Sequence, residues 1–431
     1  MLLPEEFISY TRQTMGDERF RRYQESFGEE PPVSIRLNPQ KTEGMTVDGG
    51  EAVPWCRNGY YLPRRPQFTM DPLLHAGCYY VQEAASMFLD EVLRQHLPPH
   101  PLTALDLCAA PGGKSTLLAA ALPKGSTLFS NEPVRQRANI LLENVTKWGY
   151  PNHVVTNCYP RDYRASKLRF DVILCDVPCS GEGMFRKDES TIREWSPQQV
   201  EKCWQLQRDI VSDAWSCLNN GGLLIYSTCT FNTKENEENV RWFCETFDDA
   251  QMLTVDVKPE WHITGSLLKG FDAPVYRFIP GITRSEGLFM CVMRKRGERD
   301  IRDTRCEVRG TRLPSSAVLS AKELFSYLAP RTSHLEKEGA SKKNVPRTSH
   351  LDNSELPCAD LTYPQALAYL RGEALQLPAD TPRGIVTVAF MGHPLGQVKN
   401  IGTRANNLYP KEWRIKTTHI PTDYEAILRH T

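Results

Sequence analysis

From about residue 102 to 295, short apolar runs alternate with stretches whose apolar positions recur at helical spacing. That alternation predicts strands and helices of a parallel α/β sheet. TALDL leads into GGKSTLLAAAL, STLFSNE into PVRQRANILLENVTKWG, and HVVTN into CYPRDYRASKLR, before the further strand FDVILCD. The helix after it is the most legible. Ser196 suits an N-cap, Pro197 the first helical position, and Gln199 completes a capping box. Val200, Cys203/Trp204, Ile210/Val211, Ala214 and Leu218 follow at helical spacing, interrupted only by Gln207, with Gly221 as a stop. GGLLIYSTCTF is the next strand, and VYRFIPG and GLFMCVMRK predict an antiparallel edge.

The flanks follow other rules. Residues 1–95 predict a smaller unit with a helical start, the stretch PPVSIRLNPQK and then YYVQEAASMFLDEVLRQ; the α/β core spans 96–297. Residues 298–360 contain PRTSHLE (330–336) and PRTSHLD (346–352) around the polar run KEGASKKNV. This repeat is too short for a solenoid and predicts a duplicated insertion in a linker. The tail 361–431 regains pattern, with LTYPQALAYLRG and GIVTVAFMG ahead of HPLGQVKNIGTRANNLYPKEWRIK, and predicts a small α+β module.

Composition narrows the setting. No run approaches the roughly 18 apolar residues of a membrane span, and MLLPEEFISYTRQTMGDERF lacks the profile of an export signal. Thirteen cysteines are scattered, several inside apolar runs, which predicts reduced thiols and a cytoplasmic protein rather than a disulfide framework. Net charge is zero, 52 basic against 52 acidic residues, so any basic surface for nucleic acid must be local. Nothing calls for a second copy, and a monomer is the expectation.

LDLCAAPGGKST (105–116) ends like a phosphate loop but lacks its first glycine, Cys108 standing there instead. The adjacent Gly112 and Gly113 do not make a dinucleotide fingerprint either. The loop Cys108, Ala109, Ala110, Pro111, Gly112, Gly113, Lys114 still opens a helix after the first parallel strand, and Glu132 closes the second strand where an acid grips ribose. That pairing suits a nucleoside ligand without a pyrophosphate, S-adenosylmethionine above all. DVPCSGEGMFRKD (176–188) and STCTF (227–231) end the fourth and fifth strands, so Asp176, Cys179 and Cys229 should share one crevice. Two thiols and a carboxylate beside a methyl donor predict methylation of a pyrimidine carbon, because a thiolate adding to C6 makes C5 nucleophilic. Cys229 is the expected nucleophile, Asp176 the group on the base edge, and Cys179 the aid to C5 deprotonation and release. A zinc site is not expected: no close C-x-x-C pair occurs and no histidine is spaced near these cysteines.

LDLCAAPGGKS, SNE, DVPCSGEG, RKDESTIREWSP and YSTCTFNTKENEENV resemble the successive motifs of the Sun-type RNA cytosine-5 methyltransferases. YVQEAASM and SIRLNPQK resemble that family's N-terminal unit, and the final basic stretch is similar to the C-terminal module of its bacterial, small-subunit rRNA branch. The resemblance implies a Rossmann-like class I methyltransferase core dependent on S-adenosylmethionine, an N-terminal RNA-binding-type unit over 1–95 and a PUA-like module over 361–431. It implies the same roles for Cys229, Cys179, Asp176, Glu132 and the 108–114 loop. Where many members hold adenine with an acid after the third strand, this chain has TNCYPRDY, and Asn157, with Asp162 behind it, is the expected substitute.

An unpaired or flipped cytosine must reach the thiol, so an apolar wall and a basic groove are expected beside it. Arg186 and Lys187 are placed to line that groove and Phe185 to pack on a base. Lys399, Arg404, Lys411, Arg414 and Lys416, interleaved with Tyr409 and Trp413, predict an RNA clamp in the tail. Ribosomal RNA is the expected partner; transfer RNA methylation, an amine methyltransferase and a non-catalytic RNA-binding assembly factor are the alternatives.

Overall fold

The computed structural model describes residues 3–297, 317–328, 356–417 and 419–430. The N-terminal part opens with helices α1 (Glu5–Met15) and α2 (Asp17–Glu25). Strands β1 (Ser34–Leu37), β3 (Glu51–Ala52), β4 (Gly59–Tyr61) and β5 (Tyr79–Val81) form a sheet in the order β3-β4-β1-β5, with β2 (Met45–Val47) outside it. The short helix α3 (Pro72–His75) precedes β5, and α4 (Phe88–His96) leads into the core.

The core sheet comprises β6 (Thr103–Asp106), β7 (Thr127–Asn131), β8 (His153–Asn157), β9 (Phe170–Asp176), β10 (Leu218–Thr228), β11 (Ala250–Met252), β12 (Val275–Phe278), β13 (Leu288–Lys295) and β14 (Val318–Ser320). Its order is β11-β13-β10-β9-β6-β7-β8-β14, with β12 also on β13. The run from β10 to β14 is parallel and β13 antiparallel to its neighbours, as the pattern of the late strands predicts. Apolar FDVILCD is buried along nearly its whole length, the state of a strand covered on both faces. Helices α5 (Gly113–Ala121), α6 (Arg135–Trp148), α7 (Pro160–Ser166), α8 (Glu189–Glu194), α9 (Pro197–Cys217) and α10 (Glu237–Thr246) connect the strands. The chain runs outward through β6, β7 and β8, then crosses back to β9 and β10 on the other side of β6. This puts a topological switch point between β6 and β9, where ligands bind in such sheets.

Two sequence expectations are corrected. Ser196 does cap α9, its Oγ accepting from Gln199 N at 3.1 Å, but the Gln199 side chain reaches Cys203 Sγ, so no reciprocal box forms. The helix ends at Cys217 rather than Gly221; β10 begins at once, and Gly221 lies within its irregular start. The stretch assigned to a linker also contains structure. β14 extends the sheet beside β8, and α11 (Ala321–Leu328) folds back toward α7, because Val318 and Leu319 bury themselves on opposite faces of the sheet. Both PRTSHL repeats lie outside the described residues.

The C-terminal part holds β15 (Cys358–Asp360), α12 (Tyr363–Leu370), β16 (Gly384–Phe390), β17 (His393–Asn400) and β18 (Ala405–Asn407), a four-stranded sheet in chain order with one helix. It does not pack alone. Leu361, Leu367, Val386 and Val398 share one apolar cluster with Ile35, Leu37, Leu73 and Tyr79 of the N-terminal part. The last strand, β19 (Leu428–His430), pairs with β2, which ties the C-terminal strand to the N-terminal part. No helix of the described residues is long and apolar enough to cross a membrane.

Candidate active site

The carboxyl ends of β6, β9 and β10 carry the reactive groups. The chain turns sharply after β6: Gly112 has φ +116°, and a Cβ there would also meet the Leu141 side chain at 3.2 Å. A glycine is what this turn requires. Helix α5 then starts at Gly113 with no side-chain cap, leaving its first N–H groups without a capping partner at this end of the sheet. Beneath the turn, Asp106 is fully buried; one carboxylate oxygen accepts from Ser115 Oγ at 2.6 Å and the other has no protein partner. Burial raises its pKa to about 7, against the lowering effect of the Ser115 hydrogen bond. A helix N-terminus that favours an anion and a carboxylate lacking a donor fit the two charged ends of an amino-acid moiety.

Glu132, just past β7, is 2 % exposed; its Oε1 accepts from Val134 N at 3.0 Å and its Oε2 faces Arg137 at 3.4 Å. Asn157 stands beside it at the end of β8, but its amide donates to the carbonyls of Glu132 and Pro133 at 2.7 and 2.8 Å. It therefore braces the Glu132 turn. Asp162 accepts from Tyr159 N at 2.8 Å as part of the cap of α7.

Cys179 and Cys229 converge. Their sulfurs lie 3.1 Å apart, although fifty residues separate them in sequence, and Cys229 N also donates to Cys179 Sγ at 3.3 Å. The Cys179 thiol is held well above its ordinary pKa, first by its hydrogen bond to Cys229 and then by burial. Cys179 thus holds its proton more tightly than an ordinary thiol. Asp176 accepts from Lys114 Nζ at 2.9 Å and from Ser227 Oγ at 2.6 Å, joining the β6 loop to the β9 and β10 ends. Burial disfavours the Lys114 ammonium, but Asp176 outweighs it and leaves the pKa raised; Cys229 contributes in the same direction.

Beneath the two thiols lies a polar lattice that motif reasoning missed. Glu182 accepts from Phe231 N, Asn232 N, Asn232 Nδ2 and Trp195 Nε1 at 2.7–3.0 Å. Glu235 accepts from Ser180 N at 3.0 Å and from Asn232 Nδ2 and Gln207 Nε2, both at 2.7 Å. These bonds rivet the Cys179 loop to the Cys229 loop. Burial first, then Glu182, raises the Glu235 pKa to about 7. The signal was present: Gln207 breaks the apolar face of α9, and it is fully buried because it grips Glu235 and Pro178 O.

The predicted RNA contacts fare unevenly. Arg186 is a correction: its side chain is 6 % exposed, paired with Glu286 at 3.0 Å and donating to Glu29 O, so it does not line a groove as a free cation. Phe185 is likewise fully buried, edge-on to Phe7 in the core under α1. Lys187 is exposed, as are Lys399 on β17, Arg404 after it, and Lys411 and Lys416. Arg414 is half-buried with its Nε enclosed, and Tyr409 belongs to the core. Among the described residues no group of three or more His, Cys, Asp and Glu could hold a metal.

Comparison with known proteins places this site in a lineage. Residues 95–294 match the family described as 16S rRNA methyltransferase RsmB/F, residues 3–84 the N-terminal domain of 16S rRNA methyltransferase RsmF, and residues 357–415 the methyltransferase RsmF PUA domain. Ribosomal RNA small subunit methyltransferase F of Pectobacterium atrosepticum is 35% identical over 253 residues, 57% of this chain and 51% of that protein. Its namesake from Shewanella amazonensis is 29% identical over 408 residues, 84% of this chain and 85% of that protein. In fold, the chain is similar to NSun6 from Pyrococcus horikoshii, with a TM-score of 0.55 and 20% identity over 68% of this chain and 99% of that one. Three successive family matches, separated only by residues 85–94 and 295–356, carry the kinship along the chain: over most of its length it is similar to the 16S rRNA methyltransferases of the RsmB/F family.

Proposed function

We propose that this protein methylates carbon 5 of a cytosine in small-subunit ribosomal RNA, using S-adenosylmethionine and a transient covalent bond from Cys229. The observation that carries this reading is the 3.1 Å pairing of Cys179 and Cys229 sulfurs at the strand ends that also hold Lys114 and Asp176. S-adenosylmethionine supplies an electrophilic methyl on a sulfonium. For it, the Gly112 turn and the α5 N-terminus offer a place for the carboxylate, Asp106 an acceptor for the ammonium, and Glu132 an acid for the ribose.

The protein's own residues do the rest. The Cys229 thiolate adds to C6 of the cytosine, and the C5–C6 π pair becomes available at C5 to take the methyl group. Asp176, at the crevice edge, holds the base by accepting from its exocyclic amine. A base then removes the C5 proton, and the C5–H pair restores the double bond as the C6–S bond breaks and returns its electrons to Cys229. Cys179 serves this release: its sulfur lies 3.1 Å from that of Cys229, and once its own proton has passed to solvent, its thiolate is a base within reach of the C5 proton. Exposed Lys187, Lys399, Arg404 and Lys411 are the cations offered to phosphates.

Mapping of 5-methylcytosine in 16S rRNA from cells with and without the gene tests the reading. One cytosine should lose its methyl group in the deletion and regain it with the wild-type gene but not with Cys229→Ala. An unchanged methylation map would refute it.

A further inference from the structure

We infer that the N-terminal unit forms part of the cofactor site, with Arg36 as the positioning residue that holds the first turn of α5. This rests on the reading of the Cys108–Lys114 turn as the place of S-adenosylmethionine. Arg36 lies on β1, opposite Tyr80 of β5, and is 2 % exposed. Its Nε donates to Gln82 Oε1 at 2.7 Å, and its Nη2 to Thr116 Oγ1 at 2.6 Å and Gly113 O at 3.2 Å. The guanidinium lies 4.5 Å from the centre of the Trp148 ring at the end of α6. β1 therefore fastens both helices that flank the cofactor turn. Nearby, Asn38 Nδ2 donates to Trp148 O at 2.9 Å, and Lys41 Nζ to Lys147 O at 2.6 Å.

The contact is close and directional. A Cβ on Gly113 would meet the Tyr80 ring at 3.2 Å and Gln82 at 3.6 Å, so the turn leans directly on β5. Thr116 Oγ1, which accepts from Arg36, also lies 2.9 Å from Gly112 O and 3.0 Å from Gly113 O. The fork thus fixes the two glycines whose conformation aims the N–H groups. The charge matters too. None of Arg36's three acceptors is ionised, and burial lowers its pKa to about 10. A buried cation beside the positive end of a helix is a standing cost that an anionic ligand relieves. The amino-acid carboxylate of the cofactor is such an anion.

The unit would then act on cofactor affinity as well as on RNA, and the two are separable. In the full-length protein, S-adenosylmethionine binding is measured by calorimetry without RNA, alongside KM for each substrate and thermal melting. Arg36→Met should weaken S-adenosylmethionine by about tenfold or more, the scale of a lost charge-assisted hydrogen bond. KM for RNA and kcat at saturating cofactor should hold within about threefold, a difference below 1 kcal/mol. Arg36→Lys, with the charge but not the fork, should recover part of the affinity. Thr116→Val gives a milder second variant, expected to shift in the same direction, and it decides the matter if Arg36→Met does not fold. Wild-type affinity in the folded variants, or an effect confined to KM for RNA, would overturn the inference. Failure of the wild-type protein to bind S-adenosylmethionine would instead remove the reading it rests on.

Discussion

At the scale of single residues, the two cysteines should fail in opposite ways. Cys229→Ala removes the nucleophile, so turnover should drop by about a thousandfold or more while cofactor affinity is kept. Cys179→Ala leaves addition and methyl transfer intact and slows release, so an RNA-linked protein should accumulate on denaturing gels. Equal loss of turnover in both variants, with no RNA-linked protein in either, would remove the division of labour. Glu235 makes a separate prediction about pH. Its pKa of about 7 in the fold exceeds its ordinary 4.5, so between those values the folded state binds more protons than the unfolded state. Stability contributed by the protonated group is present below about 4.5 and is lost as pH rises toward about 7. Glu235→Gln should flatten that part of the stability-against-pH profile in chemical denaturation. An unchanged slope would show that the carboxyl is ionised throughout.

At the scale of elements, the parallel strands and α9 were legible because burial on both faces and a Ser-Pro start leave clear signatures. Cys179 and Cys229 were legible as strand-end residues of β9 and β10. What the pattern could not show was the partner of each polar group. Arg186 looked like a groove cation, yet Glu286, a hundred residues on, takes it into the interior. Asn157 looked like a ligand group, yet the nearest carbonyls claim its amide. β14 escaped notice because three residues, Val318–Ser320, are too few to show alternation. The Gly112 turn gives this scale its test. With φ at +116° and Leu141 3.2 Å from a new Cβ, Gly112→Ala should weaken S-adenosylmethionine by about tenfold and cost roughly 1–3 kcal/mol of stability. Titration and melting of the same variant check both, and an unaltered affinity would separate the turn from the cofactor.

At the scale of the molecule, the C-terminal strand is tied to the N-terminal part. Leu428 is fully buried and its strand pairs with Met45–Val47, so Leu428→Ala should cost about 2–4 kcal/mol and lower the melting temperature. A truncation of the C-terminal module would uncover Ile35, Leu37 and Tyr79 as well as remove cations, so charge reversal is the cleaner probe of RNA contact. Lys399→Glu with Lys411→Glu should shallow the dependence of RNA affinity on salt, since each phosphate contact releases counterions. The most direct test of the whole account uses 16S rRNA in which 5-azacytidine replaces cytidine, incubated with S-adenosylmethionine and digested for mass spectrometry. The account predicts a nucleotide attached to the peptide that contains Cys229. Attachment at Cys179, or no attachment by an enzyme that still methylates unmodified RNA, would contradict it.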